Sequence, residues 1–128
     1  MQKLPQVSGL VLCERMEVDP SQGAYSLVNL FNQLRFPRPG PLLKRFTVYG
    51  TLLNGVGEGL LELVVMQLHT ERDIYKRSFW YAYPDQMPFN LLEMKVNRCP
   101  FPAFGRYRVS LRIDRNEIAY RLLDILPE

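Results

Sequence analysis

GRYRVSLRID, residues 105–114, sets Arg106, Arg108, Ser110 and Arg112 between Tyr107, Val109, Leu111 and Ile113. A period of two is that of an extended strand, whose successive side chains point to opposite faces. The apolar set must face a core and the polar set water, so this stretch predicts a half-buried strand of an antiparallel sheet. The arginine row poses the functional question. An outward face of this kind can track a phosphate backbone, which makes Arg106, Arg108 and Arg112 candidate polyanion contacts. Arg121 joins them if its neighbours Tyr120 and Leu122 face inward. Against that use, Asp114 and Glu117 dilute the field, and the only aromatic of the strand, Tyr107, lies on the inner side, away from any stacked base. A solvated strand face is the simpler expectation, with nucleic-acid binding as the alternative.

The same alternation recurs along the chain, punctuated by turn residues about every ten positions, the pattern of a β-sandwich or barrel. Strands are predicted over 9–18, 24–36, 45–53, 60–69, 74–83, 89–96, 105–114 and 117–126. That makes seven to eight, because Leu92 and Val96 in 89–96 also fit a helical stripe. DPSQG (19–23) reads as a turn, TERD (70–73) as the tip of a hairpin, and PRPGP (37–41) as a stiff crossing between sheets. NGVGEG (54–59) is glycine-rich, but it leads into a strand rather than a helix and so reads as a hairpin turn, not a phosphate cradle. No stretch makes a convincing amphipathic helix.

The bulk numbers agree with one domain. The chain has 128 residues, 47% apolar and 23% charged, and sixteen basic against thirteen acidic residues give a net charge of +3. A chain this long buries roughly two-thirds of its unfolded surface without a metal or disulfide staple. The charge is too small for a binder driven by electrostatics alone. Two cysteines, Cys13 and Cys99, suggest buried thiols in a reducing compartment. No apolar run approaches a membrane span or a signal peptide, so a cytoplasmic protein with no membrane contact is expected.

GAYSLVNLFNQLRFP and FPAFGRYRVSLRID resemble a family of small, mostly bacterial proteins catalogued only as a domain of unknown function. The matching positions are Cys13, Gly23, Ser26, Leu27, Phe31, Pro37, Gly105, Tyr107, Leu111 and Asp114. The likeness runs from about residue 9 to residue 125. It implies an immunoglobulin-like antiparallel β-sandwich with little or no helix, and it supplies no activity. Where that family tends to follow the Asp with Gly, this chain reads Asp114-Arg115-Asn116, which assigns a positive φ to Asn116 or requires a longer loop. The Cys–Trp–Cys core of a true immunoglobulin domain is not expected, because Trp80 falls far too late after Cys13.

Chemistry-bearing groups are sparse. His69, the only histidine, is a candidate partner for Cys13 or Cys99, but no third orienting group accompanies it, and one His with two distant Cys makes no credible zinc site. Glu14, Glu17 and Asp19 fit a solvated strand edge and an Asp-Pro turn better than a cation site. FPRPGP (36–41) fits a crossing better than a ligand for an SH3-like partner. No cofactor, metal or enzyme activity is expected.

The anomaly is a surplus of apolar residues. Leu61, Leu63 and Val65 share one side of the fourth predicted strand, and Leu60, Val64, Met66 and Leu68 share the other. On the fifth, Tyr75, Phe79, Tyr81 and Tyr83 oppose Ile74, Trp80 and Ala82, with Lys76 and Ser78. Two-sided strands need a second cover. Ile74, Lys76 and Trp80 therefore form a candidate protein interface, for self-association or a partner protein.

Overall fold

The computed structural model describes residues 4–38, 42–53, 57–83 and 89–128. Nine strands order themselves as β1 (Gln6–Val18), β2 (Tyr25–Leu30), β3 (Gln33–Phe36), β4 (Leu42–Leu53), β5 (Gly57–Gln67), β6 (Arg72–Tyr83), β7 (Phe89–Phe101), β8 (Gly105–Ile113) and β9 (Asn116–Pro127). They form a four-stranded sheet, β2-β1-β4-β7, and a five-stranded sheet, β3-β9-β8-β5-β6. Every pairing is antiparallel except β3 with β9, which is parallel. No helix occurs among the described residues. Lettered as in immunoglobulin domains, β1, β4 and β7 take places A, B and E, and β9, β8, β5 and β6 take G, F, C and C′.

The alternation of residues 105–114 is realised in β8. Tyr107, Val109, Leu111 and Ile113 are all fully buried. They join a cluster to which the facing sheet contributes Leu12, Phe46, Val48, Val96 and Phe101. Phe101 and Tyr107 meet edge to face across the sandwich, with ring centroids 5.1 Å apart. At the entry to β8, the Tyr107 hydroxyl donates to the Ala103 carbonyl at 2.7 Å. A tyrosine near the start of strand F bonded to backbone a few residues upstream is the tyrosine corner of immunoglobulin-like domains. The inter-sheet disulfide of that fold is absent here. Cys13 and Cys99 are both free and buried, and Trp80 is exposed rather than a core residue.

Several sequence expectations need correction. Residues 24–36 are two strands, because the chain changes sheets at Phe31–Asn32. Phe31 N–H donates to Leu12 of one sheet, and the Asn32 carbonyl accepts from Asp124 of the other. Just before this crossing, inside β2, Asn29 holds φ 55°, a backbone region that Asn tolerates better than most residues. NGVGEG does not close a hairpin: β4 and β5 belong to different sheets, so it joins them, with residues 54–56 outside the described set and Gly57–Gly59 already in β5. Residues 89–101 form one long strand, and the helical stripe is refuted by eight consecutive ladder partners on β4 over residues 89–96. Positive φ after β8 falls on Asp114 (49°) and Arg115 (70°), not on Asn116. With Ile113 paired to Asn116, this is a two-residue hairpin whose turn needs φ above zero at both positions. The crossing predicted at residues 37–41 does connect the sheets, β3 to β4, although residues 39–41 lie outside the described set. The connection between β6 and β7, which the sequence brackets with Pro84 and Pro88, also falls outside it.

Candidate interaction surface

The outer face of the five-stranded sheet carries both candidate sites. The register sets Lys76, Val64, Ser110 and Tyr120 in one row, and Ser78, Glu62, Arg112 and Glu117 in the next. Trp80 lies across from Leu60 at the β6 end of a third row. Two sets separated by about thirty residues in the sequence therefore share a single surface.

Two of the three arginines of the row are closed by carboxylates, and Arg112 has no hydrogen-bond or ion-pair partner among the described residues. Arg106 forks onto Asp124, with Nε to Oδ1 at 2.8 Å and Nη2 to Oδ2 at 3.3 Å. Arg108 forks onto Glu117, with Nε to Oε1 at 2.9 Å, and its guanidinium lies 3.7 Å above the Tyr120 ring centroid. Ser110 donates to the same Glu117 carboxylate at 2.7 Å. Hydrogen bonds from Arg108 are the main cause holding Glu117 below the usual carboxylate range, and Arg112 adds to it. Arg106 holds Asp124 down in the same way. On β5, Glu62 is buried and accepts from Lys76 at 2.8 Å, which lowers its pKa despite the desolvation that opposes it. A bidentate carboxylate is the strongest partner a guanidinium finds among side chains, so Arg106 and Arg108 leave little free positive field for phosphate.

Tyr120 and Leu122 face outward, opposite Ser110 and Arg108. Arg121 consequently points away from the arginine row and lines the clefts between the sheets. The sequence places an aromatic only on the inner side of β8; the tertiary structure brings Tyr120 and Trp80 onto the outer face from neighbouring strands.

Trp80 is 63% exposed, and its indole N–H donates to Glu58 at 3.2 Å. Tyr75 and Tyr81 pack toward the core, as the two-sided reading of this strand requires. The side chains of Phe79 and Tyr83 lie outside the described set. Ile74 does not stand beside Trp80. The register slips between Val65 and Met66, Ile74 has no Cα partner, and it packs half-buried against the core cluster. Lys76 is on the outer face, tied to Glu62. Of the nine exposed large apolar side chains among the described residues, Leu60, Trp80, Tyr120 and Leu122 belong to this one face.

No catalytic grouping assembles from the other candidates. His69 is exposed on the β5–β6 turn. Cys13 and Cys99 are fully enclosed, and desolvation pushes the Cys99 thiol up to about 12, far from the thiolate that nucleophilic chemistry needs. Glu14 and Glu17 both bind Arg15, and Asp19 accepts from Ser21, so each has a structural partner. Among the described residues no group of three or more His, Cys, Asp or Glu side chains is placed to hold a metal, and no helix is long and apolar enough to cross a membrane.

No family model matches the chain, and no curated protein does. Among solved structures, an immunoglobulin-like protein from Pseudomonas aeruginosa is similar to it, at 14% identity over 97% of this chain and 98% of that one, with a TM-score of 0.48. The similarity is one of fold.

Proposed function

We propose that the protein is a non-enzymatic interaction module of a reducing, cytoplasmic compartment. It would bind a protein partner or a second copy of itself through the outer face of the five-stranded sheet. The observation that carries this reading is Trp80, exposed on that face beside Leu60, with the ion-paired lattice of β8 and β9 next to it. An exposed tryptophan flanked by satisfied polar groups is the usual make-up of an interface anchor. Two enclosed thiols that have not joined fit a reducing environment.

The test is Trp80→Glu, which sets a second carboxylate beside Glu58. Sedimentation should show the wild-type assembly reduced to monomer, or a co-purifying partner lost, with the melting temperature unchanged. An unaltered size and partner set would sink the proposal. Affinity purification with and without nuclease separates the alternative, polyanion binding through Arg106, Arg108 and Arg112. That role requires the carboxylate pairs to open, and it predicts nuclease-sensitive, steeply salt-dependent association.

A further inference from the structure

The fold leaves a gap that no strand among the described residues fills. β2 pairs with β1 only from Cys13 to Val18, and β3 pairs with β9 only from Asp124 to Pro127. Between them the chain crosses from sheet to sheet at Phe31–Asn32. Beyond that crossing, residues 6–11 of β1 and 117–122 of β9 each keep one edge with no ladder partner among the described residues. These edges flank a groove of about 490 Å³, lined by Val7, Leu10, Val11, Ile118, Ala119 and Arg121, among others.

The backbone phase of β9 is fixed by its neighbour. Asp124 gives its N–H to Asn32, so by the two-residue period Leu122 and Tyr120 aim their N–H and C=O at the open edge. Unpaired strand edges are templates for another strand. Arg121 stands between this groove and the smaller cleft at the crossing, and it has no ion-pair or hydrogen-bond partner among the described residues. Arg106 and Arg108 of the outer face are matched by carboxylates; this one is not.

We infer that the β1–β9 groove accepts an extended segment of a partner protein. The segment adds to β9 in the line of β3, sets apolar side chains against Leu10, Val11 and Ala119, and brings an acidic side chain to Arg121. Strand addition draws its affinity from main-chain bonds and its selectivity from alternate side chains. Charge decides against a second copy of this chain as the occupant. A twofold pairing of this edge centred near Tyr120–Leu122 would bring two unmatched Arg121 side chains together, and like charges across a strand pair repel. This site does not involve Trp80 and stands apart from the sheet face.

The experiment is a selection of random twelve-residue peptides displayed on phage against the wild-type protein, followed by anisotropy titration of the enriched peptides. Enriched sequences should alternate apolar residues and carry one Asp or Glu. Arg121→Glu should weaken them by at least about tenfold, and a repeat selection against that variant should replace the acid with Lys or Arg. Leu122→Pro removes an outward N–H that no internal ladder uses, so it should abolish binding while leaving the fold intact. If that variant does not fold, N-methylation of the peptide reads the same bonds from the other side, with loss at alternate residues only. Trp80→Glu should bind these peptides normally, which keeps this outcome separate from that of the sheet face. Absence of enriched alternating acidic peptides, or binding indifferent to Arg121→Glu, would overturn the inference. So would concentration-dependent protection of the Tyr120 and Leu122 amides without peptide, which would name a second copy as the occupant. Self-association provoked by Arg121→Ala, without any peptide enrichment, would make Arg121 a guard of the edge and likewise overturn it.

Discussion

Strands β8 and β5 lie side by side in one sheet, yet only β8 separates cleanly into an apolar inner side and a polar outer side. Val109, Leu111 and Ile113 are sealed while Arg106, Arg108 and Arg112 reach outward. β5 is sealed on both sides: Leu61, Leu63 and Val65 face the core, but Val64 on the outer face is equally inaccessible and Glu62 nearly so. The cause is position. Lys76 and Ser110 flank Val64 directly, Arg108 and Arg112 lie on its diagonals, and long charged side chains cover apolar surface with their stems. The central strand therefore needs no partner to bury Val64. The apolar surplus that does remain exposed gathers at the borders, at Trp80 and Leu60 on one side and Tyr120 and Leu122 on the other.

Substitutions can break this comparison. Leu111→Ala should cost about 2–5 kcal/mol in denaturant unfolding, whereas Arg112→Ala, one position along, should cost less than about 1 kcal/mol. Equal costs would mean β8 is not one-sided. Val64→Ala should cost about 1–3 kcal/mol, a core price on an outer face; a negligible change would show that its cover is loose in solution. Arg115→Gly should stabilise the β8–β9 hairpin by about 1 kcal/mol, because Arg115 holds φ 70°, which Gly adopts without a Cβ clash. Asp114 must stay, since its carboxylate accepts the Leu60 N–H at 3.0 Å. It fits only because residue 59 is glycine: a Cβ there would meet Asp114 Oδ2 at 2.8 Å.

The smallest effect is the acid limb. Glu117, Asp124 and Glu62 all titrate below their ordinary values, through hydrogen bonds from Arg108, Arg106 and Lys76 respectively. A lowered folded pKa adds stability that is complete above the unfolded value, near pH 4, and is lost as pH falls through the folded one. The melting temperature should hold from neutrality to about pH 5 and decline below about pH 4. Glu117→Gln should flatten that decline slightly, and an unchanged limb would mean the Arg108 pair contributes nothing in solution.

A second contrast concerns the two cations on the flanks of β9. Arg108 is engaged by Glu117 and Tyr120, whereas Arg121 faces a groove with its charge unmatched. In the sequence both are simply arginines on alternating strands. What distinguishes them is the slip of register between Leu111 and Arg112 and the change of sheet at Phe31–Asn32, neither of which leaves a compositional trace. The hairpin tip of β1 and β2 shows the same limit. Tyr25 pairs in the ladder with Val18, and Tyr49 with Val11, about 23 Å away along a straight strand. Yet the two rings are 5.9 Å apart and their hydroxyls 3.1 Å, so the hairpin curls back onto its own sheet.

By itself the sequence determined the all-β class, the inward set of β8, the outward placement of Trp80 and Lys76, and the burial of both thiols. All of these follow from period-two alternation and from the cost of wetting apolar side chains, which are local properties. Tertiary structure alone decided that residues 24–36 serve two sheets, that Ile74 turns inward at a register slip, and that Arg106 and Arg108 are neutralised. It also decided that β1 and β9 leave an edge open above their short partners. Each of these depends on which strands become neighbours and where their ladders stop, and that is fixed by pairing across the sandwich rather than by any residue's own preference.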